Sequence, residues 1–449
     1  MRPTTLISCA YGELRGYGRW RIRRAANANE RLGRDELERM TQSLFEARVR
    51  NAIERFPLYA ERVRAHRGSL PGVGEAIAAA ELPVWTRGDQ RQLFAEQERP
   101  ADSAYTHQTS GSTSLPVTFH VTRESYEWRT AVTDRGYGWA GAEEGSRTFI
   151  LWAGDQKKKS LSVRFKKSVH NTLQRRRFFD VFQRMGEGEL AECCRLINQF
   201  RPHTLIGYTS MLVDLARHVR DHPGALAWKS PTLVNAAEGL QAGQREMFQE
   251  LLVDEVYLAY GSREFMGVGM ECSRHAGYHV YTDNVVVEVV DDGGIPVEAG
   301  DTGRIVITDL RNPATPFIRY EIGDFGAMAP AGEACSCGLP FPMLTSVDGR
   351  LQDVVHAADG RKVTGLFVTF TMRQFDWIEG YQIVQDEPGS IVVRLLSRVD
   401  LTPERTIPVA DLLRSKLGDD MQVEFEHAES LHRRASGKVA LIISAIKSD

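Results

Sequence analysis

The chain has 449 residues, 42% hydrophobic and 26% charged, the balance of a protein that buries a large core, and at roughly 100 to 200 residues per domain it holds two to four domains. A formal net charge of −3 excludes a global attraction to nucleic acid or to an anionic membrane, so any polyanion must be held by a local feature. No stretch of about 18 apolar residues occurs and Met1 to Arg15 carries no continuous apolar segment, which predicts a cytoplasmic protein with no membrane span.

In chain order, residues 34 to 55 place Leu37, Met40, Leu44 and Val49 among charges at the spacing of an amphipathic helix. Val117 to Val121 is strand-like. From 187 to 251, helical patterns alternate with short apolar runs, Thr204 to Ile206 and Leu233 to Ala236, which predicts an α/β region on a layered sheet. After residue 280 the texture becomes β-rich: Val285 to Val290 and Arg304 to Thr308 flank the turn signal Asp291-Asp292-Gly293-Gly294. The last block has strand patterns at Ile391 to Leu396 and Val439 to Ile446 with a helical pattern, Val409 to Leu417, between them. A domain boundary is expected near Gly349 to Gln352.

Several segments carry chemistry. Residues 105 to 116 (YTHQTSGSTSLP) form a hydroxyl-rich loop with one glycine; such a loop turns backbone N–H groups and hydroxyls toward phosphate oxygens, or is a surface turn. Leu258 to Glu264 (LAYGSRE) sets an aromatic, a glycine and a carboxylate together; Tyr260 could stack on a purine and Glu264 could hold Mg2+, since hard cations prefer carboxylate oxygen. Tyr320 to Asp324 (YEIGD) follows Arg319, and Gly349-Arg350 and Ser436-Gly437-Lys438 come after it.

Six cysteines are too few for a disulfide framework in a chain of this length, and Cys335 and Cys337 are too close to pair without strain, leaving reduced thiols or a metal site. Cys272, His279, Cys335 and Cys337 offer three thiolates and an imidazole, a closed tetrahedral zinc set, with His275 a competing ligand. Cys193 and Cys194 lie in a helical pattern and read as core. Residues 156 to 177 hold nine Lys or Arg and no acid, either a solvated face or a docking patch for a polyanion. Tyr137, Trp139, Phe149, Trp152, Tyr208 and Phe265 are aromatics available to a pocket for an aromatic or other apolar ligand.

In order and spacing, these segments resemble the adenylate-forming superfamily of acyl-CoA synthetases and adenylation domains. Thr109 to Pro116 resembles its phosphate loop, Tyr260 to Glu264 its YGxTE segment and Arg319 to Asp324 its RYxTGD segment. The nearer likeness is to phenylacetate-coenzyme A ligases, through residues 237 to 240 (AEGL), 260 to 265 (YGSREF), 309 to 320 (DLRNPATPFIRY) and 335 to 338 (CSCG).

The resemblance implies an α/β fold: a large, multi-subdomain N-terminal adenylate-forming domain with a β-subdomain, residues 1–349, and a small mobile α+β C-terminal domain, residues 350–449. It implies activation of a carboxylic acid by ATP to an acyl adenylate, then transfer to coenzyme A. The alternatives are an enzyme that passes the acyl group to a carrier protein or an amine, and an inactive nucleotide-binding regulator. Lys438, Glu264 and Arg350 are the expected catalytic residues; Thr109, Ser110, Gly111, Ser112, Thr113, Glu238, Gly239, Tyr260, Gly261, Ser262 and Asp324 the nucleotide contacts, with Asp324 on the ribose. Tyr137, Trp152, Tyr208, Ala236 and Phe265 are expected at the acid, and Cys272, His279, Cys335 and Cys337 on structural Zn2+. No nucleic-acid or membrane partner is expected, and a homodimer is compatible with this class. Two departures stand out: Ser114 and Leu115 replace residues that are usually glycine and often lysine in relatives, and Gln352 stands at the hinge where an aspartate usually pivots.

Overall fold

The computed structural model describes residue 13 and residues 16–96, 99–109, 117–143, 145–152, 168, 171–180, 185–236, 239–240, 243–330, 332–350, 354–372, 374–432 and 439–446. The chain divides into two compact units that interleave along the sequence. One comprises Met1–Thr148, Lys166–Arg177 and Tyr257–Val347, the other Phe149–Phe165, Phe178–Val256 and Asp348–Asp449. Among the described residues no helix is long and apolar enough to cross a membrane.

The first unit opens with helices Arg19–Asn29, Arg34–Arg55 and Pro57–Arg67. Helix Arg34–Arg55 carries Asp35 and Glu36 in its first turn, where carboxylates suit the positive end of the helix dipole. It stops at Phe56, which is extended (φ −126°, ψ 94°) because the following Pro57 disfavours helical backbone on the residue before it. Its buried positions are Leu37, Phe45, Arg48, Val49 and Ala52. The buried face is thus turned slightly from the expected Leu37–Met40–Leu44–Val49 stripe, and it includes a guanidinium. Arg48 is tolerated there because it donates to the Thr315 carbonyl at 2.7 Å and the Asn51 side chain at 2.9 Å, although burial still pushes its pKa down to about 10.

Strands Val285–Val290 and Gly303–Asp309 pair antiparallel, Val285 opposite Asp309 and Val290 opposite Arg304, where two β-rich runs flank a turn signal. The turn works because Asp291 accepts the Ile295 N–H at 2.9 Å and Gly294 takes a positive φ of 80°. In this unit's sheet the next strands are Tyr320–Met328, Met343–Arg350, Tyr278–Val280 and Met266–Glu271, followed by the end of Val253–Ser262. The core beneath it includes Phe119, Phe265, Phe317 and Tyr320, with the Phe317 and Tyr320 rings 4.6 Å apart.

Two buried ion pairs tie helix Arg123–Trp139 to this sheet. Arg135 forks onto both oxygens of Asp283 at 2.7 and 2.9 Å, and Asp283 also accepts from Asn29 at 2.9 Å. Arg129 pairs with Asp309, both almost fully buried. Unpaired, either guanidinium would carry a desolvation cost of several kcal/mol, on the order expected for any buried ion.

The second unit contains the parallel strands Thr204–Gly207 and Ser230–Ala236, joined by helix Thr209–Asp221, a βαβ crossover. Helix Glu187–Phe200 packs on the same side with Cys193 and Cys194 buried. Burial pushes both thiols up, Cys194 to about 11, as befits packing rather than reactive cysteines.

The same unit carries the C-terminal block. Its sheet orders Gln422–His427, Ser390–Ser397, Ile378–Gln385 and Ile442–Ser444. Helix Pro403–Leu417 crosses from Ser390–Ser397 to its parallel neighbour Gln422–His427 and buries Val409, Leu413 and Leu417. The helix begins six residues before the expected Val409 because Pro403 occupies its first turn, where no N–H is needed, and Pro408 lies early enough to deprive only Glu404 of a partner.

Candidate active site

The hydroxyl-rich loop springs from a hairpin. Strands Ser103–Gln108 and Thr118–Thr122 pair antiparallel, and beyond them the Thr109 N–H donates to the Val117 carbonyl while the Val117 N–H donates to the Thr109 hydroxyl, both at 2.9 Å. Thr109 is therefore committed to closing the base of the loop. Ser110, Gly111, Ser112 and Thr113, with the divergent Ser114 and Leu115, lie outside the described residues.

The outgoing strand is pinned by a segment the sequence marks only by likeness, residues 309 to 320. Thr315 accepts the His120 N–H at 3.0 Å and donates to the His120 carbonyl at 2.9 Å. Asn312 donates to that carbonyl at 2.9 Å and accepts from Thr122 N–H at 3.3 Å. His120 and Thr122 are thus locked on their backbone, which fixes the direction in which the chain leaves the loop. Sequence reasoning missed Asn312 and Thr315; their polar side chains in an otherwise apolar run were the available signal.

Tyr260, Gly261, Ser262 and Glu264 form the end of one hairpin, Gly261 opposite Gly267 and Ser262 opposite Met266. Glycine is required at 261, since a Cβ there would lie 2.1 Å from the Met266 carbonyl oxygen. The Ser262 hydroxyl accepts the Phe265 N–H at 3.3 Å and holds the turn that presents Glu264. Glu264 is only 4% exposed, and among the described residues it has neither an ion pair nor a hydrogen bond. Burial, and then the Glu264 charge, raise the pKa of Tyr320 beside it. The Tyr260 hydroxyl donates to Asp324 Oδ2 at 2.9 Å, so the structure brings together the second and third segments. Phe265, expected at the acid, is fully buried and packs on Phe317 at 5.4 Å. Tyr137, in the same unit, has its hydroxyl pushed up to about 12 by burial and then by Asp134.

In the second unit, Trp152, Tyr208 and Ala236 each stand at the carboxyl end of a strand, where open α/β sheets place their ligands. The Trp152 and Tyr208 rings lie 4.4 Å apart at 31°, with Tyr208 in the unit's hydrophobic core and Trp152 packed against it. Thr209 donates to Asn235 at 2.9 Å and reaches the Gly239 carbonyl at 3.3 Å, holding the turn after the strand near the expected nucleotide contact Gly239. Phe149 is core, stacked on Phe179. Arg350 ends strand Met343–Arg350; Glu238, Gln352 and Lys438 lie outside the described residues.

Cys272, His279, Cys335 and Cys337 converge with their ligand atoms all within 4.8 Å of one another. Cys272 Sγ is 3.7 Å from Cys335 Sγ, and Cys337 Sγ is 3.3 Å from His279 Nε2. Tetrahedral zinc with bonds of about 2.3 Å to sulfur holds its sulfurs roughly 3.8 Å apart, so the spacing fits. His279 Nδ1 donates to the Phe341 carbonyl at 3.2 Å, which leaves Nε2 with its lone pair toward the thiols. Trp139 packs its edge on His279 at 5.8 Å and is spent on this wall. His275 faces Glu271 at 3.2 Å and is not in the set.

Of the basic run, Lys157, Lys158 and Lys159 lie outside the described residues. Arg176 is 3.4 Å from Asp134, which Arg23 also meets at 2.5 Å, so part of the positive charge at this end is neutralised locally; Arg175 is exposed.

Residues 355–445 match the CapK C-terminal domain family. The chain is 23% identical to Protein CapK of Staphylococcus aureus over 351 residues, 76% of this chain and 74% of that protein. It is 22% identical to phenylacetate-coenzyme A ligase of Escherichia coli (strain K12) over 306 residues, 66% of this chain and 68% of that one. Among solved structures it is similar to 2-hydroxyisobutyryl-CoA ligase in the postadenylation state with 2-HIB-AMP, with a TM-score of 0.65 at 19% identity over 91% of this chain and 88% of that one. The amide bond synthetase McbA from Marinactinospora thermotolerans is similar with a TM-score of 0.51 at 18% identity, over 76% and 68% of the two chains.

Proposed function

We propose, for a chain that has the α/β fold of the adenylate-forming enzymes and a phenylacetate-coenzyme A ligase-like sequence, that it activates a carboxylic acid as its acyl adenylate at the expense of ATP, releasing pyrophosphate. The observation that carries the reading is the pairing of Tyr260 with Asp324 at 2.9 Å, on the same hairpin end that presents the largely buried Glu264. Asp324 holds the ribose through its hydroxyls, and the hydrogen bond from Tyr260 fixes the carboxylate for that task. Glu264 holds Mg2+, which when bound supplies positive charge to the phosphates. Lys438, by its likeness to the family's lysine, neutralises charge where carboxylate and α-phosphate meet, and Arg350 stands at the joint before the C-terminal block.

The chemistry explains why these groups are needed. A carboxylate is a poor electrophile, being anionic with oxide as leaving group. Attack of its oxygen on the α-phosphorus breaks the bond to pyrophosphate and forms a mixed anhydride whose later leaving group is AMP. Two anions must approach, so most of the barrier is electrostatic, and positioned cations and N–H donors lower it. The Trp152–Tyr208 pair favours an aromatic or arylalkanoic acid. Coenzyme A takes the acyl group in the leading form of this reading. A carrier protein or an amine is the second acceptor class, favoured by the basic run at 156 to 177 and by the likeness to an amide bond synthetase.

The test is acid-dependent pyrophosphate release across a panel of carboxylic acids, with coenzyme A, an amine, a carrier protein or no acceptor. Release with at least one aryl acid is expected, accelerated by one acceptor. No release from any acid in the presence of Mg2+ and ATP would overturn the reading.

We assign the Cys272–His279–Cys335–Cys337 set to structural zinc, closed to substrate because all four tetrahedral positions are protein. Cys337→Ser is expected to lose about one equivalent of zinc and to lower the melting temperature of the purified protein. Its pyrophosphate release per folded molecule should stay within about two-fold of the parent, since a structural ion contributes folding free energy and not a reaction step. Metal-free protein melting at the parent temperature would remove the assignment.

A further inference from the structure

A second cluster of metal-ligating side chains lies in the second unit. His218 stands in the last turn of helix Thr209–Asp221 and His222 caps that helix, one turn later. Their rings stack with centroids 4.4 Å apart at 28°. Glu187, first residue of helix Glu187–Phe200, brings Oε1 to 2.9 Å from His218 Nδ1 and 3.3 Å from His222 Nε2. One ligand atom from each of the three residues lies within 4.8 Å of the other two.

The protonation pattern is what makes this arrangement more than a surface ion pair. His222 Nδ1 donates to the His218 carbonyl at 3.1 Å, so in the neutral ring Nε2 carries a lone pair and faces a carboxylate oxygen that carries another. His218 is only 5% exposed, and neither of its ring nitrogens makes a hydrogen bond among the described residues. The Glu187 oxygen is close to Nδ1 but off the line that a hydrogen bond requires. A buried imidazole with both nitrogens unsatisfied carries a desolvation cost that a shared cation would relieve at the nitrogen facing Glu187. Histidines four residues apart on one helical face, with a carboxylate from a second helix, are a donor set suited to borderline divalent ions.

We propose that Glu187, His218 and His222 form a three-ligand site for a divalent cation of the zinc class. Three protein ligands leave at least one coordination position to water. The site opens to solvent on the side of Glu187 and His222, whose side chains are 68% and 52% exposed, while His218 anchors it from inside. The fixed Nδ1 hydrogen bond of His222 orients its ring as an outer-shell contact orients a ligand. Helix Thr209–Asp221 also holds Glu379 of the C-terminal block, through Arg217 at 2.9 Å, so an ion at its end orders the helix on which that contact depends.

The test uses the full chain stripped of metal with a chelator and titrated with Co2+ and then Zn2+. Cobalt on nitrogen and oxygen ligands gives weak visible bands, whereas cobalt on thiolates adds intense near-ultraviolet charge transfer, so the two candidate sites are read separately. His222→Ala, whose side chain is half exposed, is expected to lose one equivalent of Co2+ or to bind it at least about 100-fold more weakly, with the thiolate band unchanged. Glu187→Gln should weaken the same equivalent while keeping the side-chain size. Both variants should melt with the chelated parent, and only the parent should gain melting temperature when the second equivalent binds. Identical stoichiometry and affinity in parent and both variants would overturn the proposal and leave a histidine–carboxylate ion pair. Loss of the thiolate band in Cys337→Ser, with the second equivalent kept, would support it.

Discussion

Lys438→Ala is expected to slow acid-dependent pyrophosphate release by about 10²- to 10³-fold, the usual loss when one charge-stabilising group is removed from a transition state. The reason lies in what the first step must do. Both reactants are anions, and the mixed anhydride forms only if the negative charge on the α-phosphate oxygens is compensated as the carboxylate arrives. Transfer from a supplied acyl adenylate needs no such compensation, so that half-reaction should keep most of its rate. The split is diagnostic: a general folding defect would depress both half-reactions equally. A pyrophosphate-release rate equal to the parent's would remove Lys438 from the mechanism.

Asp283→Ala is expected to produce the largest loss of stability, about 3–5 kcal/mol, because it removes the buried counter-charge of the Arg135 guanidinium and leaves only the part-exposed Glu30 at 3.8 Å. Asp283 accepts three hydrogen bonds, two from Arg135 and one from Asn29, and its side chain has no exposed surface. Arg135 also stacks over the Phe341 ring at 4.5 Å, beside His279 and its thiols, so the loosening should reach the metal set. Urea unfolding measures the loss, and Asp283→Asn, which keeps one acceptor oxygen but not the charge, should fall between. A loss under about 1 kcal/mol would mean that solvent reaches the pair.

These two residues also mark what the sequence discloses. Lys438, outside the described residues, is singled out only by its place in a short ordered series that resembles the adenylate-forming motifs. Strands Val285–Val290 and Gly303–Asp309 are legible because two short β-branched runs flank the turn signal Asp291-Asp292-Gly293-Gly294. Arg129 and Arg135 are illegible: charges spaced along a helix suggest a wet surface, and their partners lie 180 and 148 residues away. The two clusters of potential ligands divide the same way. Cys335 and Cys337 announce themselves by closeness, and the helical spacing of His218 and His222 was there to be read, but Glu187 joins them only through the packing of two helices. The interleaving of the two units is equally hidden, since no composition shift occurs where the chain passes from one to the other near Thr148 and Tyr257.

That interleaving sets an order of events during synthesis. Helix Arg123–Trp139 leaves the ribosome carrying Arg129 and Arg135, and their fully buried partners, Asp309 and Asp283, have not yet been made. At about 5–20 residues per second, the 148 residues from Arg135 to Asp283 take roughly 7 to 30 seconds to translate. For that interval the nascent chain cannot close its first unit, whereas strands Thr204–Gly207 and Ser230–Ala236 and their crossover helix are complete and free to pack first. A helper that shields the early helices, or a slower growth temperature, should therefore raise the yield of this protein more than any change to its C-terminal block.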